Sequence, residues 1–146
     1  MQFTQDELAA LLRGPRPLQL TGCDLTKADL RNTDMSKADL SGANLSGADL
    51  SEARFRYADL SGANLEDAKL SRVNFHGATL TQTNLSDAIL DFTDLSGAKL
   101  NNACLNYVNL VEANLSGVDL TGAKYNSATV WPAGFDPIGA GAILEG

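Results

Sequence analysis

Residues Ala38 to Leu50 read ADLSGANLSGADL: a small residue, Asp or Asn, Leu, a hydroxyl residue, Gly, and then the same again. Followed outward in both directions, this five-residue unit runs from about Leu18 to Trp131. Residue numbers divisible by five carry Leu or a few apolar substitutes (Met35, Phe55, Phe75, Tyr125, Val130) from Leu20 to Val130, with no insertion. Two residues earlier is a second small position, mostly Ala. A period of five matches neither the 3.6 of a helix nor the alternation of a long strand. It suits a coil with flat sides and tight corners. Within each unit the Leu and the small residue point inward, as alternate residues of a strand do, and the Asp or Asn between them points out. The last two residues turn the corner, where Ser, Thr and Gly are favoured.

The exceptions set the number of sides. Met35, Phe55 and Phe75 lie twenty residues apart, and the non-Ala residues Thr33, Val73 and Thr93 fall on that same side if one turn takes twenty residues. Four units per turn stack these in one column, whereas five would scatter them. The expectation is an all-β, four-sided parallel β-helix. It has about six coils and is roughly 28 Å long at ~4.8 Å per strand spacing.

Ala38-Asp39-Leu40, Ala43-Asn44-Leu45, Ala48-Asp49-Leu50 and Ala63-Asn64-Leu65 match the motif A(D/N)LXX as they stand. On these units the chain resembles the pentapeptide-repeat family over about four fifths of its length. The resemblance implies that family's right-handed quadrilateral β-helix. It implies little about function, since the family shares a shape rather than a reaction. The closing segment from Trp131 looks like the ends of cyanobacterial members.

Length fits one domain. We divide the chain into an N-terminal capping helix (1–17), the repeat solenoid (18–131) and a C-terminal cap and tail (132–146). Thr4 reads as the helix N-cap, with Glu7 completing a capping box and Phe3 and Leu8 forming a hydrophobic staple. Leu8, Leu11 and Leu12 make one apolar stripe, and Gly14-Pro15 ends the helix. Such a helix covers the open end of the first coil. At the other end Trp131, Phe135 and Ile138 are expected to fold over the last coil, and the final GAGAILEG to be partly mobile.

The formal net charge of -7 argues against direct nucleic-acid binding, which needs a basic footprint. Asp and Asn before Leu are what the corner chemistry wants, so much of that charge follows from the fold. Cys23, inward, and Cys104, outward, lie ~19 Å apart by coil spacing, too far for a disulfide. No apolar run reaches the length of a membrane span, and the N-terminus lacks a signal-peptide pattern. A cytoplasmic location is the default expectation.

No catalytic, cofactor-binding or metal-binding residues are expected. His76, the only histidine, is a corner residue. The serines recur because corners need them, and none stands beside a base. The interior is filled with Leu, Phe and Ala, leaving no cavity for a substrate. Asp39 over Asp59 and Asp29 over Asp49 give too few ligands for a divalent ion. Asn44, Asn64 and Asn84 stack as an amide column. Cross-coil ion pairs are expected for Asp34 with Arg54 and Glu52 with Arg72, and Arg56, Tyr57 and Lys37 make a small basic corner.

The expected function is therefore non-enzymatic: a structural or interaction module for an unknown protein partner, with no cofactor and no membrane contact, monomeric or weakly dimeric. The candidate contact patch is Ile89, Phe92, Tyr107 and Val111. Ile89 takes an outward position normally given to Asp or Asn, and the other three take corners on or beside the same side, so clustering makes them a candidate. The family resemblance implies an alternative, an acidic DNA mimic that binds a type II topoisomerase such as DNA gyrase. The short, loopless chain and the Leu-rich interior depart from those members.

Overall fold

The computed structural model describes all residues, 1–146. Each outward residue from Gln19 to Cys104 stands in parallel register with the residue twenty positions on, as in Gln19↔Asp39, Asp29↔Asp49 and Cys104↔Lys124. Four five-residue units therefore complete one turn, and the result is a repeat β-solenoid. Its rungs are closed by three recurring bonds. Through most of the solenoid the N–H of the Leu donates to the outward residue one coil on (Leu45 to the Asn64 carbonyl, 2.7 Å), and that outward residue donates back (Asn64 to the Ala43 carbonyl, 2.9 Å). The second corner residue adds a third (Gly42 to the Ser61 carbonyl, 2.9 Å).

The corners explain the rest of the unit. The N–H of the small residue closes an i→i+3 turn on the preceding Leu carbonyl, as in Ala43 to Leu40 at 3.0 Å. The second corner residue has φ near +60°, the type II pattern. Gly is cheapest there, yet Lys27, Asn32, Lys37, Tyr57 and others adopt it, with the rung bonds on either side holding the backbone. The outward Asp or Asn finishes the corner: Asp39 Oδ1 accepts the Ser41 N–H (3.0 Å) and hydroxyl (2.6 Å), and Asn44 Oδ1 accepts the Ser46 N–H (3.1 Å). The amide oxygens of the Asn column thus serve their own corners.

Leu and Ala columns form one continuous core, with Leu25, Leu40, Leu60 and Phe75 wholly buried and Phe55 against Phe75 at 5.3 Å between ring centroids. Where Thr replaces Ala inside, its hydroxyl is satisfied: Thr83 and Thr93 donate to the Leu60 and Leu70 carbonyls at 2.8 Å. That removes the cost of a buried unpaired polar group.

The unbroken register ends at Asn126, earlier than the sequence pattern indicates. Asn109 pairs with Val130, not with residue 129, so one extra residue has entered the last corner. Thr129, not Ala128, is the inward small residue, and its hydroxyl donates to the Leu105 carbonyl (2.8 Å). Val130 is consequently outward and 47% exposed, and the next inward place falls to Trp131. The shift is favoured because Trp131 then packs edge-on against Tyr125 (5.2 Å) and stacks on Phe135 (5.3 Å).

The ends differ. Helix α1 (Gln5–Leu12) begins with the Thr4–Glu7 capping box and buries Leu8, while Phe3, Leu11 and Leu12 are half-buried. Gln2 pairs with the first coil through both its backbone N–H and its side-chain oxygen, at Asp24, and Arg16 reaches the Asp34 carbonyl (2.6 Å). At the far end β1 (Lys124–Tyr125) pairs in parallel with β2 (Ile143–Leu144), so the expected mobile tail is instead one more rung, with Ile143 N–H on the Ala123 carbonyl at 2.7 Å. Trp131 and Phe135 pack on the core, but Ile138 is 59% exposed and covers nothing. Two turns, one closed by Phe135 N–H on the Pro132 carbonyl and one between Asp136 and Ala142, carry the chain round to β2, and Ile138 lies in the second.

Candidate interaction surface

One wall of the solenoid carries Asp29, Asp49, Lys69, Ile89, Asn109 and Val130 as successive outward residues. Its upper rungs are polar; in the lower ones Ile89 and Val130 stand on either side of Asn109. Ile89, Phe92, Tyr107 and Val111 are all exposed, Phe92 and Tyr107 by more than half. The ladder places Ile89 beside Asn109, so Phe92 and Val111 lie at the following corner in adjacent coils and Tyr107 at the preceding one. Val130 joins the strip one rung below Asn109. Sequence reasoning missed it because Ala128 and Val130 fit the five-residue pattern in register.

The backbone under this strip departs from the rest of the solenoid. Ile89 stays opposite Asn109, but the N–H groups of Leu90, Phe92 and Asn109 make none of the rung bonds that their counterparts Leu70, Arg72 and Ile89 make one coil earlier. The i→i+3 bond of the Val108 corner is also missing, and Glu112 is the one second-corner position between Gly22 and Gly122 without positive φ. The expected cause lies inside. The small column of this wall runs Ala28, Ala48, Ala68, Ala88 and then Val108, wholly buried. Val108 puts two extra methyl carbons beneath Ala88, itself slightly more exposed than the other core alanines, and overpacking there is the expected wedge between the coils. Outside, Ile89 has no oxygen to accept the Asp91 N–H, as Asp49 accepts that of Ser51 (3.1 Å).

Charged groups frame the strip. Glu66, Asp67 and Asp87 are exposed on the preceding corner and Asp91 and Glu112 on the following one. Lys69 stands on the rung above Ile89, and the Arg72 guanidinium lies over the Phe92 ring at 5.1 Å. Arg72 therefore does not pair with Glu52 as expected: the aromatic face offers it a closer seat. Asp34 and Arg54 do approach, at 3.8 Å, between exposed side chains.

Elsewhere the polar surface is occupied with its own corners. Two short bonds from the Arg31 side chain, helped by the Arg31 N–H, hold the Asp29 carboxyl at a pKa of about 2. Hydrogen bonds from the residue two positions on, side chain first, lower those of Asp24, Asp34, Asp39 and Asp49. The Arg56 guanidinium sits over Tyr57 at 5.8 Å, and Tyr57 meets His76 edge-on at 5.5 Å. His76 Nδ1 is 2.8 Å from the Ser96 hydroxyl. Ser96 thus stands beside a base, contrary to the sequence reading; its hydroxyl donates to Asp94 Oδ1 (2.6 Å), so His76 is the donor in this contact and does not take the serine proton. A groove of about 870 Å³ runs between α1 and the first coil, lined by Phe3, Ala10, Leu11 and Leu18 together with Gln2 and Glu7. Sequence reasoning, which treated the interior as filled, did not foresee it.

Five-residue sides, inward Leu and Ala columns and loopless corners define a parallel β-solenoid whose chemistry lies on its walls. A family model described as pentapeptide repeats (8 copies) matches residues 19–51, 48–87 and 93–124, and the chain belongs to the pentapeptide repeat family. Among solved structures it is similar to the pentapeptide repeat protein Rfr23 from the cyanobacterium Cyanothece 51142. The identity is 29% and the TM-score 0.75, with 77% of this chain and 90% of that one covered. It is also similar to HetL, a pentapeptide repeat protein involved in heterocyst differentiation regulation in the cyanobacterium Nostoc sp. strain PCC 7120. Here the identity is 32% and the TM-score 0.49, covering 82% of this chain and 64% of that one. A third, QnrB1, a plasmid-mediated fluoroquinolone resistance protein, shares the fold at 20% identity with a TM-score of 0.59, covering 87% and 70%. Comparison with curated proteins gave no match. No helix is long and apolar enough to cross a membrane.

Proposed function

We propose that this chain is a non-catalytic interaction module that presents the Ile89 wall to a protein partner. The observation that carries the reading is the coincidence of exposed Ile89, Phe92, Tyr107, Val111 and Val130 with the only rung whose bonds are open. Contiguous exposed apolar surface marks contact sites more often than scattered residues do. In this reading 1–17 is a cap, 18–131 a right-handed, four-sided β-helix of about six coils, and 132–146 a second cap. The cytoplasm suits its two free cysteines, which stay reduced there.

The test uses the immobilised full chain and the double variant Ile89→Asn with Phe92→Ser, with melting temperatures compared first. Proteins retained from a cyanobacterial extract by the parent chain and released by an equally stable variant support the wall as the contact surface. Equal retention overturns it. The DNA-mimic alternative rests on the net charge of -7, and the likeness to QnrB1, at 20% identity, speaks only to the fold. Inhibition of DNA supercoiling by gyrase in the presence of the chain would favour that alternative.

A further inference from the structure

Resting on the reading of the Ile89 wall as the contact surface, we propose that its occupant is a basic amphipathic helix of the partner. The helix lies along the solenoid axis with its C-terminal end toward Lys69 and Arg72. Three features of the wall select this chemistry.

The first is spacing. Ile89, Asn109 and Val130 follow one another at one rung each, ~4.8 Å. A helix laid along that line advances about 5.4 Å per turn, so an apolar stripe at i, i+3, i+4 and i+7 meets successive rungs. Phe92 and Val111 on one side and Tyr107 on the other widen the strip to the breadth of a helix face. An extended strand has no equivalent purchase, because the N–H and C=O groups of a wall point along the axis toward neighbouring rungs, away from a visitor.

The second is the rim. Glu66, Asp67 and Asp87 line one side and Asp91 and Glu112 the other, all exposed. Carboxylates on both flanks of an apolar strip match a stripe of Leu flanked on both sides by Lys or Arg. They also select against a second copy. Turning one copy onto another about the Ile89 rung sets Asp87 against Asp87 and Asp91 against Asp91, between chains that each carry -7.

The third is polarity. Lys69, one rung above Ile89, and Arg72, over Phe92, are the basic groups at the strip, and both lie at its upper end. Cations there favour the carbonyl end of a helix. The open rung at Leu90, Phe92 and Asn109 lets the surface adjust to the side chains it meets.

The test titrates the full chain into a fluorescent peptide of about fourteen residues, long enough for four helical turns, with a Leu stripe and Lys elsewhere. A Leu/Glu counterpart is run beside it. The Leu/Lys peptide is expected to bind, the Leu/Glu peptide not. Ile89→Asn with Phe92→Ser, which leaves net charge unchanged, should weaken binding about tenfold or more, as loss of central anchors does. Asp39→Asn with Asp59→Asn, two carboxylates removed from another wall, should change it less than about twofold. A cross-linker at the peptide C-terminus should mark Lys69. The proposal is overturned if both peptides bind alike, if the two double variants weaken binding equally, if the cross-link falls at the far end, or if the chain dimerises through this wall in sedimentation. If neither peptide binds while the Ile89→Asn, Phe92→Ser variant still releases captured partners, the contact wall stands and its basic helical occupant is refuted.

Discussion

Above Ile89 the wall of Asp29, Asp49 and Lys69 is closed bond by bond; below it, between Ile89 and Asn109, the rung is open. Both parts use the same unit, the same Leu column and the same length per coil. They differ in one buried side chain, Val108 for Ala, and in one outward one, Ile89 for Asp or Lys. The inner change adds volume to the small column beneath Ala88; the outer one offers the corner no acceptor, but neither does Lys69, whose rung is closed, so the inner change is the one expected to matter. A solenoid thus tolerates a local loosening without losing its core, because each coil still rests on continuous Leu columns.

The regular part is the place to look for catastrophic effects. Leu60→Asp and Leu65→Asp each bury a carboxylate without a partner at a wholly enclosed position, a cost of several kcal/mol against a total stability of about 5–15 kcal/mol. Circular dichroism should show unfolded or barely folded chains; cooperative melts near the parent temperature would contradict the inward assignment. Deleting residues 1–14 comes next. It removes Leu8 from the core and Gln2 from Asp24, exposing a strand edge, so strand content should persist while light scattering reports end-to-end association. A truncated chain that remains monomeric and equally stable would give the helix another role.

A matched pair sharpens the contrast directly. Val73→Ala, in a closed rung, should cost about 2 kcal/mol from lost burial and a residual cavity. Val108→Ala loses the same methyl groups but lets three rung bonds re-form at a net ~1 kcal/mol each, so it should be nearly neutral. Amide exchange at Leu90, Phe92 and Asn109, fast in the parent, should slow in the Val108 variant. Equal destabilisation with unchanged exchange would mean that Val108 is not the wedge.

Acid should act modestly, and mainly on the first coils. Asp24, Asp29, Asp34, Asp39 and Asp49 have carboxyls depressed in the folded chain, Asp29 to about 2, whereas Asp119 is the single such group beyond them. A depressed carboxyl contributes stability above its unfolded pKa of about 4, and that contribution disappears as pH falls through the folded value. Melting temperature should be level from neutral pH to about 5 and decline between about 4 and 2. Because these groups are exposed, the decline is shallow; a sharp loss near pH 6 would require a different titrating group. Smallest of all should be Ser61→Asn: the corner loses a hydroxyl bond to Asp59 (2.6 Å) and keeps the N–H bond (2.9 Å), so the melting temperature should move little.

The period, the twenty-residue turn and the inward columns were legible because each rests on many repeated positions. What was not legible rests on single competitions. Ala128-Thr129-Val130 satisfies the motif as written, but a one-residue slip packs Trp131 between Tyr125 and Phe135 and satisfies the Thr129 hydroxyl, against an indole N–H left without a partner, and no local pattern weighs those terms. Glu52 and Arg72 were correctly placed one coil apart, yet Phe92 on the other side of Arg72 wins the guanidinium. The exposed strip could be read from outward apolar residues alone. The open rung beneath it could not, since it depends on how much room Ala88 leaves above Val108.

The slip near Asn126 also shows what kind of change in length such a chain tolerates. One added residue in the last corner reversed Val130 from inside to outside. A whole extra unit inserted between Ile89 and Asn109 would keep every side chain facing in or out as before, but would rotate everything downstream by a quarter turn, parting the two. Only additions of a full twenty residues preserve phase, so a lineage that keeps a binding wall can lengthen its protein only in those quanta, while one without a wall to protect is free to grow by fives.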